Sequence, residues 1–454
     1  MNRASAILFG VALTVEILLF AALNLFDDWT LQGMPIKFVG AAFLCGAAYL
    51  AAVSKFPPMG GFAVANKIDI RKQVLLFWGV ALFLRLIALP LVPADDLIRN
   101  QWEGKIQRAG FNPYEIAPSD SKLDQLRHDF PEAAKINHPD VRATDPPGAQ
   151  LLFRFLVGLS DRPLLYKILF AIADLAVAAV LLRLIGGENR YRDAAWYAWN
   201  PLVAYAFAGA AHFDSLTVLA LTAAILALVR TCPERQSNGS TSESDVVRGW
   251  LWTLAAALFL GIALSLNVMA ASLFLLFLFA LRWRAVVLAI AILIPILLGI
   301  QFDLSKVWDG LGQVAQFSRL NDLFWWLAET FWDNPHQRNY HYCPILIAVI
   351  IGVSFLFLRD WKRGMLWALG TALVLSPVLH PWYVIWILPL ATWRRAYAWH
   401  VLSVTLFAYY LFWDERLFRL PWHAEPWMRA LTIAPVLASL IMLAAQKRST
   451  TAAS

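Results

Sequence analysis

The sequence predicts an all-α integral membrane protein, a polytopic bundle of about 12 to 14 transmembrane helices. Of its 454 residues, 60% are hydrophobic and only 15% are charged, and the mean hydropathy is +0.58. A soluble core could not hold so many apolar side chains without leaving large apolar surfaces in water. The 21 tryptophans are typical of helices that are anchored at two membrane interfaces. We therefore treat residues 1–454 as a single transmembrane domain.

Apolar runs recur along the whole chain. The first is longer than a signal-peptide core and has no small-residue cleavage site, so we predict that it is a retained span. Several later runs are too short to cross a bilayer untilted, which makes the predicted count a range. The runs lie near residues 4–26, 35–53, 74–92, 163–185, 194–212, 215–230, 250–266, 268–281, 285–302, 343–358, 364–379, 382–393, 397–413 and 428–445.

The positions of the basic residues predict the orientation of these runs, because Lys and Arg accumulate in cytoplasmic loops. Basic residues fall in every second loop, so both termini are predicted to be cytoplasmic. The Ser-rich segment 232–249 is predicted to be a flexible cytoplasmic loop without chemistry. The intervening segments are predicted to face outward: 27–33, 93–162, the neighbourhood of 212–214, 303–342, 380–383 and 414–427. Most clusters of polar and aromatic residues lie on that outer face, where we expect the site.

The longest outward segment, 93–162, has the features of a structured loop. It opens with two adjacent carboxylates, Asp95 and Asp96, and continues as "RNQWEGKIQRAG", which can form an amphipathic interfacial helix. "GFNPYEIAP" then has turn chemistry. A second turn, 137–150, brings Arg142 and Asp145 close to two consecutive prolines before the chain returns to the membrane.

These residues resemble the first outer loop of bacterial multi-pass glycosyltransferases of the GT-C superfamily, in particular the branch similar to polyprenyl-phosphate-mannose-dependent mannosyltransferases. The family pattern reads approximately D-D-x-x-R-Y-x-W-[DE]-G-[RK], then G-x-N-P-Y, then Tyr-Pro-Pro. The matching positions are Asp95, Asp96, Arg99, Trp102, Glu103, Gly104, Lys105, Gly110, Asn112, Pro113, Tyr114, Pro146 and Pro147. "GAAHFDSL" (209–216) and "SPVLHPWYVIWILPL" (376–390) resemble further family elements more weakly.

The resemblance implies a hexosyltransferase of the bacterial inner membrane with its active site on the periplasmic face. It would move a hexose, mannose before others, from a polyprenyl-phosphate donor to the hydroxyl of a glycan or glycolipid, with inversion and no covalent intermediate. Its partners would be these substrates and membrane lipids, and no basic-aromatic stripe indicates nucleic acid. The chain departs from the pattern at Asn100, at Asp145 and at Asn267, which leaves the donor sugar open.

Sugar transfer from a lipid phosphate needs a base for the acceptor hydroxyl and a cation for the leaving phosphate. Asp95 or Asp96 is the predicted catalytic base. The outward-facing candidates for binding the phosphate are Arg99, Lys105, Arg142 and His380. Arg99 could equally be an anchor for a phospholipid headgroup.

The other predicted substrate-binding residues lie in the same outer segments. The aromatic residues could stack on a sugar or a polyprenyl chain, or they could belong to the interface belt. This group consists of Trp102, Asn112, Tyr114, Asp145, Trp382 and Tyr383. The 93–150 loop and the 380–383 turn are expected to meet at one site.

Three questions stay open at the level of sequence. The paired carboxylates leave room for a divalent cation, with Asp214 or Asp145 as a third ligand, but no cofactor is indicated with certainty. His212 and Asp214 could face the site, or Asp214 could simply cap a helix. The ionisable residues within apolar runs, with Arg85 paired to Asp174 or Glu16, would also suit a transporter or a lipid flippase.

Overall fold

The computed structural model describes residues 3–26, 35–56, 67–136, 138–231, 243–303, 305–310, 312–313, 321–322, 324–325, 327, 331, 342–413 and 426–452. Within these ranges the secondary structure is helical and contains no β-strand, which confirms the all-helical class. Several predicted loops lie outside the described residues, namely 27–33, 414–425, 232–242 and most of 311–341. The predicted loop 232–249 is shorter at its end, because a helix already begins at Glu243.

The helices are numbered in chain order. They are α1 Arg3–Ala22, α2 Pro35–Lys55, α3 Lys67–Ala88, α4 Asp95–Arg108, α5 Asp124–Asp129, α6 Pro147–Leu159, α7 Pro163–Ile185, α8 Arg190–Ala198, α9 Pro201–Ala204, α10 Asp214–Thr231, α11 Glu243–Leu266, α12 Phe274–Leu281, α13 Leu288–Gly299, α14 Tyr342–Leu356, α15 Trp361–Val374, α16 Leu388–Arg394, α17 Ala398–Thr405 and α18 Pro426–Ala452. Segments of 3₁₀-helix connect several of them, including Val268–Leu273 and Pro381–Trp386.

Six of the described segments are long and apolar enough to cross a membrane: Arg3–Leu25, Pro35–Lys55, Pro163–Ile185, Asp214–Thr231, Ser244–Leu266 and Val268–Gly299. The pair Cys343–Leu356 and Leu358–Val374, bent by 75°, would make a seventh. Large apolar side chains such as Leu18 and Leu75 are more than 60% exposed, as expected on a surface that faces lipid. These features are consistent with a multi-pass membrane protein.

The predicted count of 12 to 14 spans is not confirmed, because several apolar runs fold as shorter pieces. The run at 194–212 is interrupted by Asn200, whose side chain caps α9, and by Pro201 at the first position of that helix. The run at 382–393 is divided between a 3₁₀ segment and α16. Periodicity alone does not reveal such breaks within an apolar stretch.

The first long loop folds around helix α4, which begins four residues before the predicted helix and includes both aspartates in its first turn. One face of α4 is covered by a small apolar core of its own, in which Trp102 is fully buried and stacks on Phe130. The loop also contacts the bundle through α6, which packs against α4. We call the end of the bundle that carries residues 93–162 the loop end.

Gly104 sets the distance between α4 and α6. A Cβ atom on Gly104 would lie 2.5 Å from the carbonyl oxygen of Phe153, so Gly104→Ala must push the two backbones apart. We expect this variant to lower the free energy of unfolding by about 1–3 kcal/mol. Gly79→Ala is the matched control, because a Cβ at that exposed helical position meets nothing within 4 Å and should stabilise α3 by roughly 0.5–1 kcal/mol. Thermal unfolding of the two variants, measured side by side, tests the close packing of α4 on α6. Equal unfolding midpoints for the two variants would contradict that packing.

Charged residues are also buried between the helices. Arg85 Nε lies 2.8 Å from Asp174 Oδ2, and both side chains are almost fully buried. Tyr197 donates from its hydroxyl to the other oxygen of Asp174, and Arg85 donates to the backbone carbonyl of Ala198. Of the two partners that the sequence left open for Arg85, Asp174 and Glu16, the structure shows the pair with Asp174. Glu16 is buried, and its carboxyl oxygens have no hydrogen-bond partner among the described residues.

Candidate functional site

The two aspartates lie where α4 meets the helical bundle. The backbone N–H of Ala94 donates to the carbonyl oxygen of Ala210 at 2.9 Å, which fixes the start of α4 against the segment before α10. Asp95 Oδ1 accepts from the backbone N–H of Asp96 at 3.1 Å. Asp96 Oδ2 lies 3.5 Å from His212 Nδ1, and the Asp96 side chain keeps 39% of its surface exposed. Asp96 is therefore both held by the bundle and accessible.

Unusual backbone conformations place His212 beside Asp96. A turn of π-helix, Tyr205–Gly209, precedes it, and Ala211 adopts a φ of 64°, which is rare for a residue with a side chain. The His212 backbone N–H donates to the carbonyl oxygen of Ala206 at 3.0 Å. Backbone conformations of this kind persist only where the surrounding structure holds them in place. They occur more often at functional sites than elsewhere.

Three rings stack next to the Asp96 carboxylate. The ring of Trp382 lies between His212 and His380, with centroid distances of 3.9 and 4.4 Å and interplanar angles of 19° and 5°. His380 Nδ1 lies 3.0 Å from the hydroxyl of Tyr409. The 380–383 turn and the first loop thus meet through His212, as the sequence predicts. These two stacks cover part of the Trp382 ring, which is still partly exposed, and its predicted contact with a sugar stays a prediction.

Asp214 and Asp145 complete an acidic group around Asp96. Asp214 is the first residue of α10, and its Oδ1 accepts from Trp386 Nε1 at 2.9 Å, while the Asn267 side chain also hydrogen-bonds to it. Asp214 therefore bonds across the bundle and is more than a helix cap. Asp145 precedes the Pro-Pro turn that starts α6, and the Tyr114 hydroxyl donates to its backbone oxygen at 2.6 Å. We call Asp95, Asp96, Asp145 and Asp214 the acidic cluster.

The acidic cluster shifts the ionisation of its own members. Partial loss of water around Asp96 raises its pKa well above the usual value, and the negative charges of Asp95, Asp145 and Asp214 raise it further, against a smaller opposing effect of Arg99. Burial together with Glu103 and Asp214 raises the pKa of Asp145 to about 8. The carboxylates thus raise one another's pKa values, and pKa values perturbed in this way are common at functional sites.

The two histidines beside the cluster are neutral. Burial lowers the pKa of His212 and of His380 to about 3. His212 in the tautomer protonated at Nδ1 donates towards Asp96. His380 carries no positive charge, so the prediction that it binds a phosphate by charge is not supported.

The predicted cationic residues differ in how they are held. Arg99 donates to Glu103 at 2.9 Å and to the backbone oxygens of Val141 and Arg142, so it joins α4 to the second turn of the loop. Lys105 pairs with Asp161 at 2.5 Å. Arg142 has the loosest of these ion pairs, 3.3 Å to Asp309, and is 36% exposed. Among the three, Arg142 is the side chain best placed to change partners.

Three side chains that are predicted to bind the substrate contact other parts of the protein in the structure. Trp102 and Tyr114 are fully buried, so in this conformation neither ring reaches a substrate or a membrane interface. The Asn112 side chain accepts from the Tyr114 backbone N–H at 3.1 Å and donates to Glu115, which makes it a turn-forming residue. Tyr383 stacks on Trp386 at 4.5 Å but is only partly buried, so it can still contact a ligand.

The structure also adds residues that the sequence did not identify. Tyr409 contacts His380 from an apolar run, and nothing in that run distinguishes it from a tyrosine of the membrane interface. Trp386 likewise lies in a stretch of apolar residues. Gln150 donates to Glu103 at 2.5 Å and accepts from Gln107 at 3.0 Å, which forms a buried polar chain between α4 and α6. In the sequence, these hydrogen bonds are indicated by no more than a glutamine within an amphipathic helix.

The sequence does not decide whether the site binds a divalent cation. Among the described residues, no group of three or more His, Cys, Asp or Glu side chains is arranged to hold a metal ion. The members of the acidic cluster thus influence one another by charge without forming a ready set of ligands.

Removal of one charge from the cluster should stabilise the fold in a pH-dependent way. Because the pKa of Asp145 is raised, its ionised form costs free energy in the folded state; this cost is full above about pH 8 and absent below the ordinary aspartate value near 4. We expect Asp145→Asn to raise the midpoint of thermal unfolding by a few degrees at about pH 9 and to leave it unchanged at about pH 4. An equal shift at both pH values would mean that the charge is not responsible.

No family model, curated protein or solved structure matches the chain. The geometry of the loop end therefore supplies the argument for function, together with the sequence resemblance.

Proposed function

We propose that this chain is a membrane glycosyltransferase that moves a hexose, mannose before others, from a polyprenyl phosphate to a hydroxyl of a glycan or glycolipid. The observation that carries the proposal is the position of Asp96, a partly exposed carboxylate at the end of an apolar bundle, surrounded by three other carboxylates and held by a neutral histidine. A site in this position can receive a lipid-borne donor and a water-borne acceptor. The GT-C-like motif around Asp95 and Asp96 supports the same assignment.

In the proposed reaction, Asp96 accepts the proton of the acceptor hydroxyl as that oxygen attacks the anomeric carbon. The bond from that carbon to the phosphate oxygen breaks, its electron pair stays on the polyprenyl phosphate, and the sugar is inverted. A general base works best when its pKa lies near the working pH, which is the direction in which the cluster moves the Asp96 pKa. His212 orients the carboxylate as a positioning residue.

The leaving phosphate needs a cation, and we assign this role to Arg142 in place of Arg99. The Arg99 guanidinium binds Glu103 and three backbone oxygens, and it would have to release them to bind a phosphate. Two residues separate Arg142 from Asp145 along the chain, and among the described residues its side chain would release one long contact, with Asp309. Arginine can donate two hydrogen bonds to one phosphate. Arg99 is then a positioning residue that connects α4 to the Arg142 turn.

A second candidate function is transport of a proton or an ion, which one observation favours. Glu16 is fully buried without a hydrogen-bond partner among the described residues, and the Arg85–Asp174 pair lies in the same bundle. Buried ionisable groups within a membrane often line a transport path. The positions of the outward-facing polar residues at the loop end favour transferase chemistry instead.

One experiment separates the two functions. The purified chain is reconstituted in liposomes with a set of radiolabelled polyprenyl-phosphate sugars and a membrane lipid extract as acceptor. The proposal predicts a labelled glycolipid or glycan from at least one donor, without dependence on a transmembrane ion gradient. Gradient-driven uptake into the same liposomes without any labelled product would favour the transporter.

The pH dependence of transfer offers a test of the cluster itself. The base must be ionised, so activity is lost as the pH falls through the Asp96 pKa, which Asp145 helps to raise. Asp145→Asn removes that negative neighbour and should move the acidic limb of the profile of kcat/KM to lower pH. Glu132→Gln, a change at an exposed carboxylate outside the cluster, is the matched control. An acidic limb that stays in place in Asp145→Asn would show that another group limits the rate.

A further inference from the structure

An open groove of about 420 Å³ lies between the C-terminal end of α4 and the exposed side of α6. Its lining consists of Arg108, Leu151, Arg154, Phe155, Gly158 and Leu159. None of these residues belongs to the acidic cluster or to its hydrogen-bond partners. The groove is therefore a separate feature of the loop end.

The two arginines of the groove are not neutralised by the protein. Arg108 and Arg154 are exposed, and neither forms an ion pair or a hydrogen bond with any part of the chain that the structure describes. By contrast, Lys105, Arg127 and Arg142 in the same loop each pair with a carboxylate. Two unneutralised guanidinium groups in one groove favour a ligand with negative charge.

Gly158 allows Arg108 to lie against α6. A Cβ atom on Gly158 would be 2.5 Å from Arg108 Nη1, so the guanidinium occupies the space that any other side chain would fill. The guanidinium of Arg108 therefore lies on the face of α6 that carries Arg154. The absence of a side chain at this position thus brings both cations to one groove.

The apolar part of the groove faces outward near the start of a membrane span. Phe155 and Leu159 are 60% and 58% exposed, and α7 begins four residues after Leu159. Lys167, in the second turn of α7, donates to the backbone oxygen of Leu89, the residue after α3. The start of α7 and the end of α3 therefore lie at the same end of the bundle as the groove. Exposed apolar side chains next to cations at the end of a span are typical of the boundary between acyl chains and headgroups.

We propose that this groove binds one anionic phospholipid of the surrounding leaflet. Arg108 and Arg154 hold the headgroup phosphate, and an acyl chain lies along Phe155 and Leu159. The exposed apolar wall favours a lipid over a soluble phosphate, which could use the arginines only. The inference rests on the groove alone and is independent of the proposed sugar transfer.

Native mass spectrometry of the full chain in a neutral detergent tests the proposal. The probes are phosphatidylglycerol, phosphatidylcholine with the same acyl chains, and a polyprenyl phosphate. We expect the wild-type chain to retain phosphatidylglycerol in preference to phosphatidylcholine, and the variant R108Q/R154Q to bind phosphatidylglycerol about 25-fold more weakly, since each arginine near an anionic lipid contributes roughly a factor of five. Arg359→Gln, at an exposed arginine outside the groove, should bind as the wild type does.

Gly158→Ala provides an independent variant, because it keeps both charges and adds one methyl group that displaces the Arg108 guanidinium. It should weaken phosphatidylglycerol binding by roughly fivefold, the contribution of one arginine. The proposal is overturned if phosphatidylcholine binds as tightly as phosphatidylglycerol, or if Gly158→Ala binds like the wild type. Displacement of phosphatidylglycerol by an equal amount of polyprenyl phosphate would also overturn it, because the groove would then belong to the donor.

Discussion

Substitution of Asp96 by asparagine is expected to lower the rate of sugar transfer by about 100- to 10,000-fold, the usual effect of removing a general base. Asparagine has nearly the same shape and can keep the contact with His212, but it cannot accept the proton of the acceptor hydroxyl. Expression and donor binding should therefore be unchanged. Transfer rates and donor affinities of the purified variant, measured in the same liposomes, check this expectation.

Asp95→Asn is the matched control for Asp96→Asn. Asp95 directs one oxygen to the backbone N–H at the start of α4, a bond that an asparagine side chain can also accept. We expect a much smaller loss of activity in this variant. If Asp95→Asn is the more damaging of the two, the base is assigned to the wrong aspartate; if both retain near-normal transfer, the carboxylates have no role in the chemistry.

The second large effect concerns stability. Arg85→Leu removes one partner of a buried ion pair and leaves Asp174 without its cation. Breaking such a pair typically destabilises a protein by about 3–5 kcal/mol, because an uncompensated charge stays buried. We expect the variant to unfold at a clearly lower temperature and to be recovered in lower yield. Unfolding followed by tryptophan fluorescence is the appropriate measurement.

The double variant R85M/D174L separates the charge from the packing. Replacement of both partners by apolar side chains of similar volume is often neutral, so the double variant should be more stable than Arg85→Leu alone. Lys306→Met serves as a control, since the ion pair of Lys306 with Asp309 is long, 3.8 Å, and largely exposed, and such pairs contribute little to stability. A double variant that is less stable than the single one would show that the pair itself stabilises the bundle.

The sequence predicted the helical class, a buried pair of Arg85 with Asp174 or Glu16, and the meeting of the first loop with the 380–383 turn. Apolar runs and buried charges allow such predictions because they restrict which segments can approach each other. The sequence did not predict which faces of a side chain are occupied. Trp102 lies in a segment that is predicted to bind a ligand, yet its ring is fully buried against Phe130, and Trp382 stacks on two histidines. The predicted span count is not confirmed among the described residues, since breaks such as the one at Asn200 depend on a single cap within an apolar run.

The role of Arg99 shows a further limit of sequence reasoning. An arginine four residues before a glutamate predicts a helical ion pair, and this pair is present at 2.9 Å. The bonds from Arg99 to the backbone at 141 and 142 depend on how the loop folds back over α4. Only the structure therefore distinguishes a cation that holds a turn from one that is free to bind a phosphate.

The most direct test of the central claim is to measure both products of one reaction in the same sample. Purified protein in liposomes receives a polyprenyl-phosphate hexose and an acceptor lipid extract, and the transferred sugar and the released polyprenyl phosphate are quantified together. We expect the two products to appear in equal amounts with the wild-type chain and both to be nearly absent with Asp96→Asn. Donors that all remain intact, or polyprenyl phosphate released at the same rate by Asp96→Asn, would contradict the central claim.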